Sequence, residues 1–275
     1  MPRPLVLVHA NCQGEPLAAF LRRVPELARH EVRLFTNYTR EPVPAEALAR
    51  CEVFLYQHLG GNWGELASAA LLARLGPGAA RLAVPPMFLK AYWPFWKSNS
   101  AMEYPDGLVD QLLDKGLPPR EVARIYLHTK VVAAHDLDAA LALSIQRERA
   151  KEKHADIRHV DELLARFRSS MLFNTVNHPG HGMLCWLGQR VLERLALSEP
   201  PEGVEAAMPE LHPEFRWPVH PAVGRHFGLE FAHAGARYPV YGRMLTHEEF
   251  IAEYILARSN NINEFIAFLR VRAGE

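Results

Sequence analysis

No stretch of this 275-residue sequence approaches about 18 uninterrupted apolar residues, so no membrane-crossing helix is read from it. The apolar run nearest the start, Leu5-Val6-Leu7-Val8-His9, is far too short for a signal peptide or a span. Neither sign of charge prevails. There are 31 basic and 31 acidic side chains and no long basic block, which removes bulk attraction for nucleic acid and leaves room only for a local basic patch. Cysteine is scarce. Cys12, Cys51 and Cys185 are odd in number and widely spaced, which gives neither a disulfide framework nor a zinc-ligand pattern. That usage fits a reducing compartment, and the cytoplasm is the expected location. No internal repeat or low-complexity tract stands out, and the sequence does not give the oligomeric state.

The hydrophobic fraction, 49%, is ample for a buried core, and 23% charged residues suit an ordinary globular surface. Short apolar runs at Leu5–Val8, Glu31–Phe35, Glu52–Tyr56 and Arg81–Val84 read as strands. Between them lie helix signals. Pro16 suits a first turn followed by Leu17, Phe20, Leu21 and Val24 at helical spacing, and Trp63–Leu75 reads as a helix closed by Gly76-Pro77-Gly78. Alternation of this kind implies parallel pairing through crossovers. The expected fold is α/β: an N-terminal parallel sheet of about four strands, flavodoxin- or SGNH-like, over residues 1–100. A mostly helical part, residues 101–275, is expected to pack on it as one integrated domain.

In that second part, Gly107–Lys115 and Pro118–Thr129 read as short helices and Asp138–Phe167 as one long or broken helix. Leu141, Ile145, Ile157, Leu163, Leu164 and Phe167 form its expected buried stripe, with Arg147, Glu148, Arg149, Lys151 and Glu152 solvated. His181–Leu195 reads as another helix. The connector Pro200–Pro221 carries six prolines, with aromatics and histidines that argue against a free linker. Thr246-His247-Glu248-Glu249 fits a capping box, and Asn260 or Asn261 is placed to cap the last helix.

Ligands of open parallel sheets collect at the carboxyl ends of the strands. The residues there are Asn11-Cys12-Gln13-Gly14, Asn37-Tyr38-Thr39-Arg40, Gln57-His58-Leu59-Gly60-Gly61 and Pro85-Pro86-Met87. Cys12 falls where the first strand turns into the first helix. Unpaired N–H groups and the helix dipole favour a thiolate there, and the Gln13 and Gly14 amides are placed to hold an oxyanion. Gly14 permits close approach, and the Asn11 side-chain amide can add a hydrogen bond. The competing reading makes Cys12 a small buried residue filling the strand–helix corner. A phosphatase-type loop is excluded, because Pro16, Leu17 and Ala18 stand where an arginine is needed.

A cysteine nucleophile needs a base. Among 14 histidines, His178 in Phe173-Asn174-Thr175-Val176-Asn177-His178-Pro179-Gly180-His181 is the most informative, in a polar turn between helical stretches. Asn177 or Asn174 can fix its tautomer. The alternative is that Asn177 caps the next helix, Pro179 opens it and His178 fills the turn. His178 with His181 is a weak metal signal without further ligands, and no metal is expected. His212, His220 and His226 are read as surface or packing residues. The block Met87–Lys97 is rich in aromatics: Tyr92 and Trp93 either wedge the core or line a ligand slot, with Lys90, Lys97 and Arg40 as phosphate candidates.

Three segments together resemble the WcbI family of bacterial capsule and exopolysaccharide biosynthesis proteins. They are Asn11-Cys12-Gln13-Gly14, Tyr92-Trp93-Pro94-Phe95-Trp96 and Phe173-x-Thr175-x-Asn177-His178-Pro179. Supporting order comes from Asn37-Tyr38-Thr39-Arg40-Glu41-Pro42, Tyr56-Gln57 and Arg147-Glu148, so the resemblance spans about residues 4–195. It implies an acyl-CoA-dependent O-acetyltransferase acting on polysaccharide sugars, with SGNH-hydrolase-like features. It also implies Cys12 as nucleophile, His178 as base and Asn11 with Gly14 at the oxyanion. Gln57 is placed near the substrate, and the acyl donor is coenzyme A thioester. Gln13, Tyr38, Arg40, His58, Lys90, Tyr92, Trp93, Lys97 and Asn177 are candidates for binding substrate or cofactor. Two positions depart from the family's pattern: Ala10 where glycine is common, and Gly180 where a small polar residue is common.

Three functions compete: acyl transfer to a sugar, thioester or ester hydrolysis by the same pair, and non-catalytic binding within a polysaccharide-assembly complex. Acetyl-CoA turnover with and without sugar acceptors separates the first two, and replacement of Cys12 tests the third.

Overall fold

The computed structural model describes residues 3–98, 100–128 and 135–274. In chain order the first elements are β1 (Leu5–Ala10), α1 (Gly14–Leu21), β2 (Glu31–Thr36), α2 (Ala45–Ala49), β3 (Cys51–Tyr56), α3 (Ser68–Leu72) and β4 (Ala80–Ala83). There follow α4 (Gly107–Asp114), α5 (Pro119–His128), α6 (Leu137–Glu152), α7 (Val160–Arg166), β5 (Phe173–Thr175), β6 (His178–Pro179) and α8 (His181–Leu195). The chain continues through α9 (Val204–Ala207), α10 (Pro221–Phe227), β7 (Tyr238–Val240), β8 (Arg243–Leu245), α11 (His247–Ser259) and α12 (Phe265–Ala273). Two units divide it. The sheet unit takes Met1–Phe88, Ile145–Ala165 and Asn177–Leu211; the aromatic unit takes Leu89–Ser144, Arg166–Val176 and His212–Glu275.

The sheet unit is built on four parallel strands in the order β2-β1-β3-β4. Every residue of β1 is buried, as a strand covered on both faces requires, and so it reads in sequence as a plain apolar run. Leu5 and Leu7 pack with Val43, Leu48, Phe54, Leu71 and Leu75, so one face of the sheet is closed by α2 and α3. Val8 and Ala10 point to the other face, against Gly14 at the start of α1. The chain steps from β1 outward to β2 and then back past β1 to β3. The crevice between β1 and β3 is therefore the topological switch point, where ligands of doubly wound sheets bind.

The four strands lie within one or two residues of their expected positions, a difference common at element ends. The single helix expected over Trp63–Leu75 is not formed. A 3₁₀ segment, Gly61–Leu66, precedes α3, and within it Gly64 sits at φ 59°, a positive-φ position that suits glycine and interrupts a helix. The Asp138–Phe167 stretch is broken into α6 and α7, one of the two forms expected, and its polarity departs from expectation in part. Ser144, Glu148 and Glu152 are buried, whereas Leu164 is exposed; Ile157, Leu163 and Phe167 are buried as expected. Asn260 closes α11 and Asn261 follows it in a left-handed conformation; Glu264, not either asparagine, precedes α12. The expected end of the second short helix, Thr129, lies outside the described residues.

The aromatic unit is held by stacked rings and closed polar pairs. Tyr92 is fully buried, and its hydroxyl donates to the Phe167 carbonyl at 2.9 Å; Trp93 Nε1 donates to the Trp217 carbonyl at 3.2 Å. Asp106 caps α4 by accepting from the Leu108 and Val109 amides, and it also accepts the Tyr126 hydroxyl at 2.6 Å. Tyr254 and Arg258 both reach Asp110 at 2.9 Å. Thr246 and Glu249 form the expected capping box of α11. Among the described residues, no helix is long and apolar enough to cross a membrane.

Candidate active site

The β1–α1 turn is a knot of short-range bonds. The Gly14 amide donates to the Asn11 carbonyl at 2.8 Å, and the Gln13 amide donates to Asn11 Oδ1 at 3.0 Å. Both amides expected to serve an oxyanion are thus engaged within the turn. Gly14 also differs from expectation: it admits the sheet rather than a ligand. A Cβ there would come within 2.6 Å of Leu34 Cδ1 and 2.8 Å of Ala10 Cβ. The glycine lets α1 start against β1 and β2, and so fixes where Cys12 stands.

Other donors stand at the same turn. The Asn11 amide N–H donates to Gln57 Oε1 at 2.8 Å, a bond across the β1–β3 crevice. Because that donor needs an oxygen, the Gln57 amide nitrogen must face away from it. By the same logic Asn11 Oδ1, held by the Gln13 amide, turns Asn11 Nδ2 outward. Neither Nδ2 of Asn11 nor Nε2 of Gln57 has a hydrogen-bond partner among the described residues. Two side-chain amides flank the turn with protons to give.

Cys12 is half-buried. Burial pushes its thiol above the ordinary value, against the pull of the Cys12 and Gln13 backbone amides; the Glu15 carboxylate adds to the rise. That shift runs against the thiolate expected from the helix start. Desolvation outweighs the helix-start amides, because α1 begins inside the packed crevice.

Gln13 is the clamp of the site. Its side chain accepts from the Met87 amide at 3.0 Å and donates to the Met87 carbonyl at 2.7 Å and the Asn177 carbonyl at 2.9 Å. One buried amide ties the start of α1 to the segment after β4 and to the residue preceding His178. With those three bonds made, Gln13 is a positioning residue rather than the ligand contact expected of it. His178 is half-buried on β6.

The segment after β4 has a second anchor that the sequence did not disclose. Glu148 is 1% exposed, accepts the Phe88 amide at 3.1 Å, and meets Lys151 at 2.6 Å and His159 at 3.0 Å. Lys151 in turn donates to the Pro86 carbonyl at 2.9 Å. Residues 86, 87 and 88 are thus gripped in succession by Lys151, Gln13 and Glu148. Another unanticipated pair is His181 Nε2 with Cys185 Sγ at 3.4 Å, on the first turns of α8. His9, on the α2–α3 face of β1, is 1% exposed, has neither ring nitrogen hydrogen-bonded, and is lowered by burial to about 4.

Of the remaining candidates in this unit, Tyr38 is 61% exposed and Arg40 lies over the Trp63 ring at 5.0 Å. His58 stacks on His154 with centroids 4.2 Å apart. Lys90, Tyr92, Trp93 and Lys97 belong to the aromatic unit. There Tyr92 and Trp93 are core rings with their polar atoms satisfied by backbone carbonyls, Lys90 lies over the Trp96 ring, and Lys97 runs along Gly107. No group of three or more metal-ligating side chains converges among the described residues.

The profile of a family described as polysaccharide biosynthesis enzyme WcbI matches residues 5–200, more than half the chain. Fold and match together define the class: an α/β enzyme of polysaccharide biosynthesis. The chain belongs to the WcbI family. A solved structure of WcbI, described as a novel polysaccharide biosynthesis enzyme, superposes with a TM-score of 0.72 at 18% identity, covering 100% of both chains. It shares this α/β fold, and it is described as the native protein without a disulfide bond between coenzyme A and one of its cysteines. No curated protein matches the chain.

Proposed function

We propose that this protein is an acyl-CoA-dependent O-acyltransferase that acetylates a sugar hydroxyl of a capsule or exopolysaccharide through Cys12 and His178. The observation that carries the reading is the 2.9 Å bond from Gln13 Nε2 to the Asn177 carbonyl. It joins the neighbour of the cysteine to the neighbour of the imidazole across 164 residues of sequence. The mention of coenzyme A and a cysteine in the WcbI structure supports the choice of donor.

Because burial disfavours the Cys12 thiolate, the reaction needs a base at the moment of attack. His178 takes the thiol proton as Sγ bonds to the acyl carbon. The oxyanion that develops is met by Asn11 Nδ2 and Gln57 Nε2. Collapse expels the coenzyme A thiolate, which the His178 imidazolium protonates. A sugar hydroxyl then attacks the acyl-cysteine, gives its proton to His178, and the Cys12 sulfur leaves and recovers that proton. Donors aimed at the charge that forms are typically worth about 10²–10³ in rate each.

The test is transfer of labelled acetyl from acetyl-CoA to sugar acceptors by wild type, Cys12→Ala and His178→Ala. Acceptor-dependent coenzyme A release that both substitutions reduce by about 10³-fold or more sustains the reading. Release at the same rate without acceptor identifies a thioesterase instead. Full activity in Cys12→Ala removes the nucleophile.

A further inference from the structure

We infer that Arg40, held on the Trp63 ring, is the phosphate-binding element for the nucleotide end of the coenzyme A donor, an inference that rests on the acyl-transfer reading above. Arg40 comes from the loop after β2 and Trp63 from the segment after β3, the two strands that pair with β1 on either side. Asn37 still donates to the Ala10 carbonyl at 2.9 Å, so the β2 loop leaves the sheet level with the turn that carries Cys12. The guanidinium thus stands at the same carboxyl edge as the cysteine.

Three features separate Arg40 from an ordinary surface arginine. Its guanidinium makes no hydrogen bond and no ion pair among the described residues, although it is exposed and acidic side chains are as common in this chain as basic ones. The neighbouring Glu41 carboxylate is turned to the Thr36 amide at 3.2 Å. The group is also pre-positioned: its carbon lies 5.0 Å from the Trp63 centroid, which restrains a long side chain while leaving its N–H fork open. Finally, its backbone sits at φ 56°, in the left-handed region that a non-glycine residue occupies at a cost, secured by the Arg40 amide on the Asn37 carbonyl and Thr39 Oγ1 on the Thr36 carbonyl. A planar, permanently charged fork of five donors matches phosphate oxygens. The adjacent exposed Tyr38 offers a flat face of the kind a purine stacks on. A coenzyme A thioester carries both groups at the end remote from its acyl carbon.

The experiment compares acetyl-CoA, acetyl-3′-dephospho-CoA and acetyl-pantetheine as donors for wild type, Arg40→Ala, Arg40→Lys and Trp63→Leu. The expected result is a KM for acetyl-CoA raised about 10- to 100-fold in Arg40→Ala, from loss of a charged hydrogen bond, with kcat within about twofold. Arg40→Lys and Trp63→Leu fall between, and the KM for acetyl-pantetheine does not move. If the Arg40 effect disappears with the dephospho donor, the 3′-phosphate is the anion held; if it persists, the diphosphate is. An equal loss with acetyl-pantetheine, or an unchanged KM for acetyl-CoA, overturns the inference and leaves acyl transfer standing. Calorimetric binding of coenzyme A to the same proteins is the arm independent of turnover. If wild type transfers from none of the donors, the acyl-transfer reading fails, and weaker binding by Arg40→Ala than by wild type still upholds the site. Equal binding, or no binding to wild type, sinks it.

Discussion

The two units differ in which polar groups they leave without a partner. In the aromatic unit four buried polar groups are closed in pairs, Tyr92 and Trp93 on backbone carbonyls, Tyr126 on Asp106 and Tyr254 on Asp110, while Nε of Arg216 and two guanidinium nitrogens of Arg243 are buried without a hydrogen bond. In the sheet unit, Asn11 Nδ2, Gln57 Nε2 and the exposed Arg40 fork at the strand ends, and both buried nitrogens of His9 within β1, have no hydrogen-bond partner among the described residues. Among the described residues, every buried imidazole nitrogen without a hydrogen bond belongs to the sheet unit, on His9, His30, His159 or His181. An unsatisfied buried group costs about 1–3 kcal/mol, so a fold keeps it where something other than stability is served. On the proposed acyl-transfer reading, the open donors at the strand ends are where a substrate finishes the hydrogen bonding.

That contrast can be broken by substitution. The largest effect is expected for Glu148→Ala, which strips the acceptor from Lys151, His159 and the Phe88 amide. Denaturant unfolding should show a loss of about 3–5 kcal/mol, the cost of breaking a buried charge cluster. Alkylation of Cys12 in the surviving folded protein should change as well, because residues 86–88 hold Gln13. An unchanged alkylation rate separates the two.

Next is Gln57→Glu, which keeps an acceptor for the Asn11 amide and replaces the outward donor with an anion. Here kcat should fall about 10²–10³-fold, or about 2.7–4 kcal/mol, while the melting temperature hardly moves. A fall in stability without a fall in kcat would place Gln57 among the closed groups.

His9 supplies a pH test. Its unfolded ring binds a proton below about 6.5 and its folded ring only below about 4, so the unfolded state holds more protons in that window and stability declines as pH falls through it. The loss should reach up to about 3 kcal/mol. His9→Phe should flatten this acid limb in urea unfolding at pH 7, 5.5 and 4.5; an unaltered limb assigns it elsewhere.

The smallest change is Tyr126→Phe in the aromatic unit, expected to cost about 1–3 kcal/mol because Asp106 loses a buried partner. Transfer per folded molecule should stay at the wild-type rate. A drop in turnover would blur the distinction between the units.

The sheet was legible in sequence because fully buried parallel strands are apolar along their whole length, and β1 is the clearest case. The turn carrying Cys12 was legible because it follows such a strand and Pro16 marks the helix beyond it. What escaped depends on partners remote in the chain. Nothing near Glu148 announces that its acceptors face residue 88 and His159, so a helix reading Arg147-Glu148-Arg149-Ala150-Lys151-Glu152 is taken as solvated. The protonation of Cys12 depends on how tightly the crevice packs, which a helix start alone does not express. Gly14 was recognised as a close-approach residue, but what approaches it is Leu34 and Ala10 rather than a ligand. The Trp63–Leu75 helix failed at Gly64, where an interior glycine outweighed the apolar spacing.

Gln13 carries one further lesson. Met87 presents it with a proton and a lone pair, and Asn177 with a second lone pair, so the socket demands one acceptor and two donors at the end of a three-carbon reach. Glutamate brings the reach but no proton to give at neutral pH, asparagine falls one methylene short, and lysine has no oxygen. The side chain works as a key cut for three backbone teeth, which neither its shorter homologue nor its acid can turn.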